Sequence, residues 1–148
     1  MILYLDTSAI LKRYFQEPFS GDVDSKWSIA EAVVSSSVAY AETMATIYRK
    51  GWEASLESRE IQEARDTFRA DWNGLIRVEA TSGLNPYIDQ VLQRHLLRGF
   101  DAIHLASALI IHERFPGNFF FACFDQRLNQ AAKLEKMATF DDGQEAEV

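Results

Sequence analysis

One cysteine, Cys123, occurs in 148 residues. An intramolecular disulfide is therefore excluded, and the chain suits a reducing compartment. Three prolines and seven glycines leave no room for a collagenous or low-complexity polymer. Long apolar runs are missing as well. The longest, Phe119 to Phe124, falls far short of the roughly 18 residues of a membrane span. The N-terminal stretch has no basic region and Asp6 interrupts its apolar run, so no secretory signal is expected and a cytoplasmic protein is. Positive charge is scarce too, with 15 basic against 22 acidic residues and a net charge of −7. A basic face is the usual footprint of a nucleic-acid binder, and the bare total lacks it.

What is present is an alternation of short apolar runs with helical patterns. Ile2 to Leu5, ended by Asp6, reads as a buried strand, and helical spacing follows through Ala9, Ile10 and Tyr14. The polar stretch Glu17 to Ser25 reads as a connection. Ala32 to Ser36 is a second strand, followed by an amphipathic helix through Val38, Ala41, Met44, Ala45 and Tyr48 that Gly51 is expected to end. Leu56 to Trp72 carries Ile61, Ala64, Phe68 and Trp72 on one stripe of a charged surface helix, and Leu75 to Glu79 alternates as a third strand. Asn85-Pro86 signals a helix start with a capping side chain, running to Gly99. Asp101 opens another helix, Phe119 to Phe124 is a strand ending at Asp125, and a helix over Gln126 to Lys136 precedes a short strand near Ala138 to Phe140. This order predicts an α/β fold: a three-layer α/β/α sandwich with a mainly parallel central sheet. Residues 1–140 read as a single domain and 141–148 as an acidic, solvated and disordered tail.

In open parallel sheets, ligands bind outside the carboxyl ends of the strands. Asp6 and Asp125 fall at such ends. Asp101 stands at a helix start and Glu42 one turn into the helix after the second strand. Four carboxylates on one rim repel one another and must either protonate or hold a cation. Oxygen-only ligands suit Mg²⁺ or Mn²⁺, and two such ions about 3.5–4 Å apart serve phosphodiester hydrolysis. Two ions also alter the charge argument. Four acids and no base lie in the last eight residues, which leaves −3 for the remainder, and two divalent ions turn that into +1. Lys12, Arg13, Arg49, Lys50, Arg94, Arg98 and Arg127 lie near the rim in sequence, so the acidic total does not exclude a phosphate backbone.

The segments Leu5-Asp6-Thr7-Ser8-Ala9, Ser37-Val38-Ala39-Tyr40-Ala41-Glu42, Arg98 to Ala106 (RGFDAIHLA) and Phe124-Asp125-Gln126-Arg127-Leu128 resemble the PIN-domain nucleases. They look most like the VapC-type toxins of toxin–antitoxin pairs. The ordered set is far more specific than any one motif, and it covers nearly the whole chain. The resemblance implies a PIN fold and a divalent-metal-dependent endoribonuclease, with Mg²⁺ or Mn²⁺ as cofactor and two ions in the active complex. RNA would be the substrate, leaving 5′-phosphate and 3′-hydroxyl ends, a small antitoxin protein the partner, and a homodimer the assembly. Asp6, Glu42, Asp101 and Asp125 match the family's metal-binding acids, and Ser8 matches its small hydroxyl residue supporting the site's water or metal. The stretch from about Gly51 to Ala80 matches no motif and is where specificity is expected to reside.

Each acid also has a plainer reading. Asp6 and Asp125 can cap the helices they precede, and Asp101 can answer a helix dipole. Capping leaves Glu42 unexplained, because an unpaired Glu beside an apolar helix face is costly. His104, between Ile103 and Leu105, reads as a hydrogen-bonded structural histidine in preference to a general base. Cys123 and Phe119 to Phe121 read as core. Arg98 stays open between orienting Asp101, contacting an RNA phosphate and being an exposed charge. Tyr14, Phe15, Met44, Ile47, Tyr48 and Trp52 supply more apolar side chains than one packed face needs, which suits either a protein partner or internal packing. Two other functions remain. A phospho-aspartyl enzyme using Asp6 is disfavoured because Ser8 stands where a second Asp is wanted. A non-catalytic PIN-like module for RNA or protein is disfavoured by the four acids.

Overall fold

The computed structural model describes residues 1–53 and 58–140. The expected tail, 141–148, and the start of the helix expected from Leu56 lie outside the described residues. Five strands form the sheet: β1 (Ile2–Leu5), β2 (Ala32–Ser36), β3 (Ile76–Val78), β4 (Phe119–Ala122) and β5 (Ala138–Thr139). Their order is β3-β2-β1-β4-β5 and every pairing is parallel. The chain builds outward from β1 first to one side and then to the other, so the order reverses between β1 and β4, where such sheets open a crevice.

The helices are α1 (Thr7–Leu11), α2 (Ser20–Ile29), α3 (Ala39–Trp52), α4 (Ser58–Trp72), α5 (Asn85–Arg94), α6 (Gly99–Arg114) and α7 (Gln126–Leu134). Alternation along β1 assigns the layers. Leu3 and Leu5 pack with Ile10, Val23, Ile47 and Phe68 from α1 to α4. Ile2 and Tyr4 face the other way, onto Val91 of α5, Leu105 and Leu109 of α6 and Leu128 of α7. Both faces are covered, as a parallel sheet requires, and the expected three-layer α/β/α sandwich is what forms. The helix α6 is buried on nearly all sides, from Ala102 through His112, and carries Asp101 and His104 into the sheet's carboxyl end.

Several local expectations differ from what forms. Glu17 to Ser25 is no simple connection, because α2 occupies Ser20–Ile29. Only Ser20 and Val23 of that helix are buried, so it has no apolar stripe from which a period could be read. The helix α3 runs past Gly51 to Trp52, and Ile61 of α4 packs over that glycine. Asn85 is not a side-chain cap: a 3₁₀ turn over Ser82–Leu84 precedes it, and Leu84 is the cap residue. The helix α5 ends at Arg94, before Gly99, and α6 starts at Gly99, before Asp101. Among the described residues no helix is long and apolar enough to cross a membrane.

Candidate active site

Asp6 leaves β1 in extended conformation and caps α1, its Oδ1 accepting from the Ala9 N–H at 3.0 Å. The same oxygen accepts from the Ser8 hydroxyl at 2.7 Å, and Ser8 Oγ in turn accepts from the Phe124 N–H at 2.9 Å. One short loop thus ties the ends of β1 and β4 together. Asp125 follows β4 and caps α7 through the Leu128 N–H at 2.9 Å. The capping readings of both acids are correct as far as they go. They fix where the carboxylates stand without consuming their charge.

Asp101 occupies the first turn of α6. It lines an open cleft of about 720 Å³ together with Glu42, Asp125, Arg98, Gly99, Phe100, Ile88 and Ile103. Asp6 is 5% exposed and is not among the residues lining that cleft. Its charge acts on Asp101, whose carboxyl is pushed above the usual range by burial and then by the charges of Asp125, Asp6 and Glu42, with His104 opposing. Burial also raises Asp6, only partly offset by His104, the Ser8 hydroxyl and the Ala9 N–H. Glu42 behaves in the opposite way. Burial alone would raise it, but hydrogen bonds from His104 and Thr7 outweigh burial and hold it below the ordinary value.

Those two bonds correct the sequence argument about Glu42, which is partly exposed and well paired. Thr7 Oγ1 donates to Glu42 Oε1 at 2.7 Å, and His104 Nε2 lies 2.8 Å from the same oxygen. On its other side, His104 Nδ1 sits 2.9 Å from the hydroxyl of Tyr4. Sequence reading found His104 to be hydrogen-bonded but did not supply its partners. A signal existed for Tyr4: a tyrosine alternating into the core of β1 needs a partner for its hydroxyl.

The basic residues separate into two groups. Arg13 turns away to Asp71 and Asp24, Arg94 to Glu135, and Arg49 to Thr46. Lys12 reaches Glu17 and the ring of Phe124, and Lys50 the ring of Phe15. Arg98 and Arg127 make no ion pair or hydrogen bond among the described residues and are exposed beside the acids in the chain. No hydrogen bond joins Arg98 to Asp101. The supposed surplus of apolar side chains also shrinks. Met44 and Ile47 are core, whereas Tyr48 and Trp52 are exposed beside a cleft of about 440 Å³ that also includes Ile61 and Arg65.

Carboxylates raised in pKa by burial, as at Asp6, and by burial and neighbouring acids, as at Asp101, are donors a hard divalent cation would relieve. Among the described residues no three His, Cys, Asp or Glu side chains stand close enough together to hold an ion as placed. Mg²⁺ commonly takes only one or two carboxylates, with water and phosphate oxygens completing its shell. The set fits such an ion on those terms.

A PIN-domain family model matches residues 3–134 of the chain. The sequence is similar to "Ribonuclease VapC45" of Mycobacterium tuberculosis, 31% identical over 131 residues, which are 88% of this chain and 89% of that protein. The fold is similar to VapBC2 from Rickettsia felis, solved bound to a DNA fragment from its promoter, at a TM-score of 0.62 and 12% identity over 94% of this chain and 97% of that one. It is also similar to Mycobacterium tuberculosis VapC20, described as a sarcin–ricin loop cleaving toxin, at a TM-score of 0.59 and 18% identity over 87% and 94% of the two chains.

Proposed function

The chain belongs to the PIN-domain family, and from that premise we propose that it is a divalent-metal-dependent endoribonuclease, the toxin of a toxin–antitoxin pair. The observation that carries this reading is that Glu42, Asp101 and Asp125 line one cleft at the sheet's switch point, with a buried Asp6 near enough for its charge to raise Asp101. Acids are costly in that arrangement unless a cation arrives. Ribonuclease naming of the relative at 31% identity supports RNA as substrate.

Asp6, Asp101 and Asp125, with Glu42 as a fourth donor, would hold Mg²⁺ or Mn²⁺, two ions in the active complex. Bound there, such ions lower the pKa of water and neutralise charge on the phosphate. The chain's own residues do the rest. Glu42, kept ionised by Thr7 and His104, accepts a hydrogen bond from the attacking water and orients it. Ser8 keeps Asp6 in place. Arg98 and Arg127, which make no ion pair among the described residues, hold flanking phosphates, so RNA meets positive charge locally despite the net −7. The reaction breaks one P–O bond as water adds at phosphorus, leaving a 5′-phosphate and a 3′-hydroxyl.

A small antitoxin protein as partner is supported by the likeness to the VapBC2 assembly and by exposed Tyr48 and Trp52; a homodimer remains part of the reading. That no three of these side chains stand close enough to hold an ion as placed, among the described residues, favours a second reading, a non-catalytic RNA- or protein-binding module. One experiment separates them. Wild type and Asp101→Asn are incubated with a panel of structured and single-stranded RNAs in Mg²⁺, Mn²⁺ or EDTA, and the ends are mapped. Metal-dependent cleavage lost in Asp101→Asn supports the nuclease. Tight RNA binding with no cleavage at millimolar Mn²⁺ establishes the module.

A further inference from the structure

We propose that His104 is a positioning residue for Glu42, its ring held in line by the Tyr4 hydroxyl at the opposite nitrogen; this rests on the ribonuclease reading of the site. His104 lies in the middle of α6 and is 1% exposed, and Tyr4 on β1 is fully buried. Their rings meet edge to face, 6.0 Å apart at 81°. Tyr4 Oη to His104 Nδ1 is 2.9 Å, and His104 Nε2 to Glu42 Oε1 is 2.8 Å.

A neutral imidazole has one donor and one acceptor nitrogen, and an ionised carboxylate only accepts. The nitrogen facing Glu42 must therefore carry the hydrogen. With the Tyr4 hydroxyl donating to Nδ1, the Nε2–H tautomer satisfies both partners. Thr7 Oγ1 donates to the same Oε1 at 2.7 Å, so two donors on different elements grip one carboxylate oxygen. Among the described residues Oε2 accepts no hydrogen bond, and Glu42 lines the cleft. Held at one oxygen by one donor, a carboxylate can swing; held by two, it presents the other oxygen in a fixed direction. Packing between Ile103 and Leu105 would be met by an apolar side chain, so what the imidazole adds is the line from Tyr4 to a carboxylate at the cleft. Partners of this outer kind typically alter metal affinity or activity by about 10–100-fold.

The test uses two amides. Gln at position 104 brings its amide nitrogen close to where Nε2 stood, and Asn brings it close to Nδ1. His104→Asn is expected to lower kcat for RNA cleavage about 10–100-fold with little change in KM, and His104→Gln to restore most of that loss, both corrected for folded fraction by melting. Two readouts do not depend on cleavage. Ring-nitrogen NMR of the wild type should show the Nε2–H tautomer, with the Nδ1 resonance shifting in Tyr4→Phe as its hydrogen bond is lost. Calorimetric Mn²⁺ titration should show weaker binding in His104→Asn than in His104→Gln. Equal kcat and equal Mn²⁺ affinity in the two amide variants would overturn the proposal, as would an Nδ1–H tautomer in the wild type. If the wild type cleaves no RNA, the ribonuclease reading falls, and the tautomer and the Mn²⁺ titration still decide this one. Should neither amide variant fold, the NMR comparison of wild type with Tyr4→Phe decides it alone.

Discussion

Two polar regions of this molecule are built on opposite terms. Beneath α4, Tyr14, Tyr40, Phe68 and Trp72 pack with ring centroids 5.5–5.6 Å apart, and the polar groups at the edge are matched. Asp71 Oδ2 accepts from Arg13 Nε at 2.9 Å and from the Tyr14 hydroxyl at 2.7 Å. Burial and Asp71 push the Tyr14 hydroxyl well up, so it stays a donor. At the carboxyl end of the sheet, by contrast, Asp6 is raised by burial and Asp101 by burial and by neighbouring acids, and among the described residues no Lys or Arg pairs with them. A protein that only had to fold would treat both regions like the first. Like charge retained at a strand-end cleft is instead a pattern that marks a site with a ligand to bind.

The comparison can be broken from either side. The largest effect is expected from Phe68→Ala, which opens the aromatic cluster at a fully buried position. It should cost about 3–5 kcal/mol in chemical denaturation while leaving cleavage per folded molecule unchanged. A fall in specific activity would show that the two regions are coupled. Asp101→Asn should do the reverse. Cleavage falls about a hundredfold or more, the worth of several kcal/mol of charge stabilisation. Metal-free stability rises, by about 0.5 kcal/mol or less after solvent screening, because one of the mutually repelling acids is gone. Lost stability without lost cleavage would make Asp101 an ordinary helix-start acid.

Asp71→Ala leaves Arg13 and Tyr14 without their acceptor and should cost about 1–3 kcal/mol by urea melting. No change would mean that water replaces the carboxylate freely. Mg²⁺ or Mn²⁺ at ten times its Kd should stabilise the wild type by about 1.4 kcal/mol, raising Tm, with a smaller rise in Asp101→Asn. Equal shifts would place the bound ion elsewhere. The smallest change is expected from Arg127→Ala. It should raise KM for RNA with kcat held, and reduce the salt slope of binding by about one phosphate contact. An unchanged slope would remove Arg127 from the RNA path.

Much of this architecture is legible along the chain because its causes are local. Apolar runs ended by Asp6 and Asp125 give strands with acids at their carboxyl ends, and the stripe Ile61, Ala64, Phe68 gives α4. Where local cause is weak, reading fails. The helix α2 buries only two residues and shows no period. Along the chain Gly99 has the mark of a helix end, yet it is the first residue of α6, and α5 stops at Arg94.

The sequence by itself determined the alternation of elements, the all-covered parallel sheet that follows from it, and the four acids at strand ends and helix starts, since each depends on neighbours within a few residues. The tertiary structure alone decided what the acids and bases do to one another. Tyr4 and His104 are 100 positions apart and Glu42 and His104 62 apart, so only the packing of α6 across β1 could join them. That Arg13 and Arg94 are spent on Asp71 and Glu135 while Arg98 lines the cleft was likewise decided there. Hydrogen bonds and ion pairs depend on direction and distance between side chains, which the order of residues does not specify until the layers are stacked.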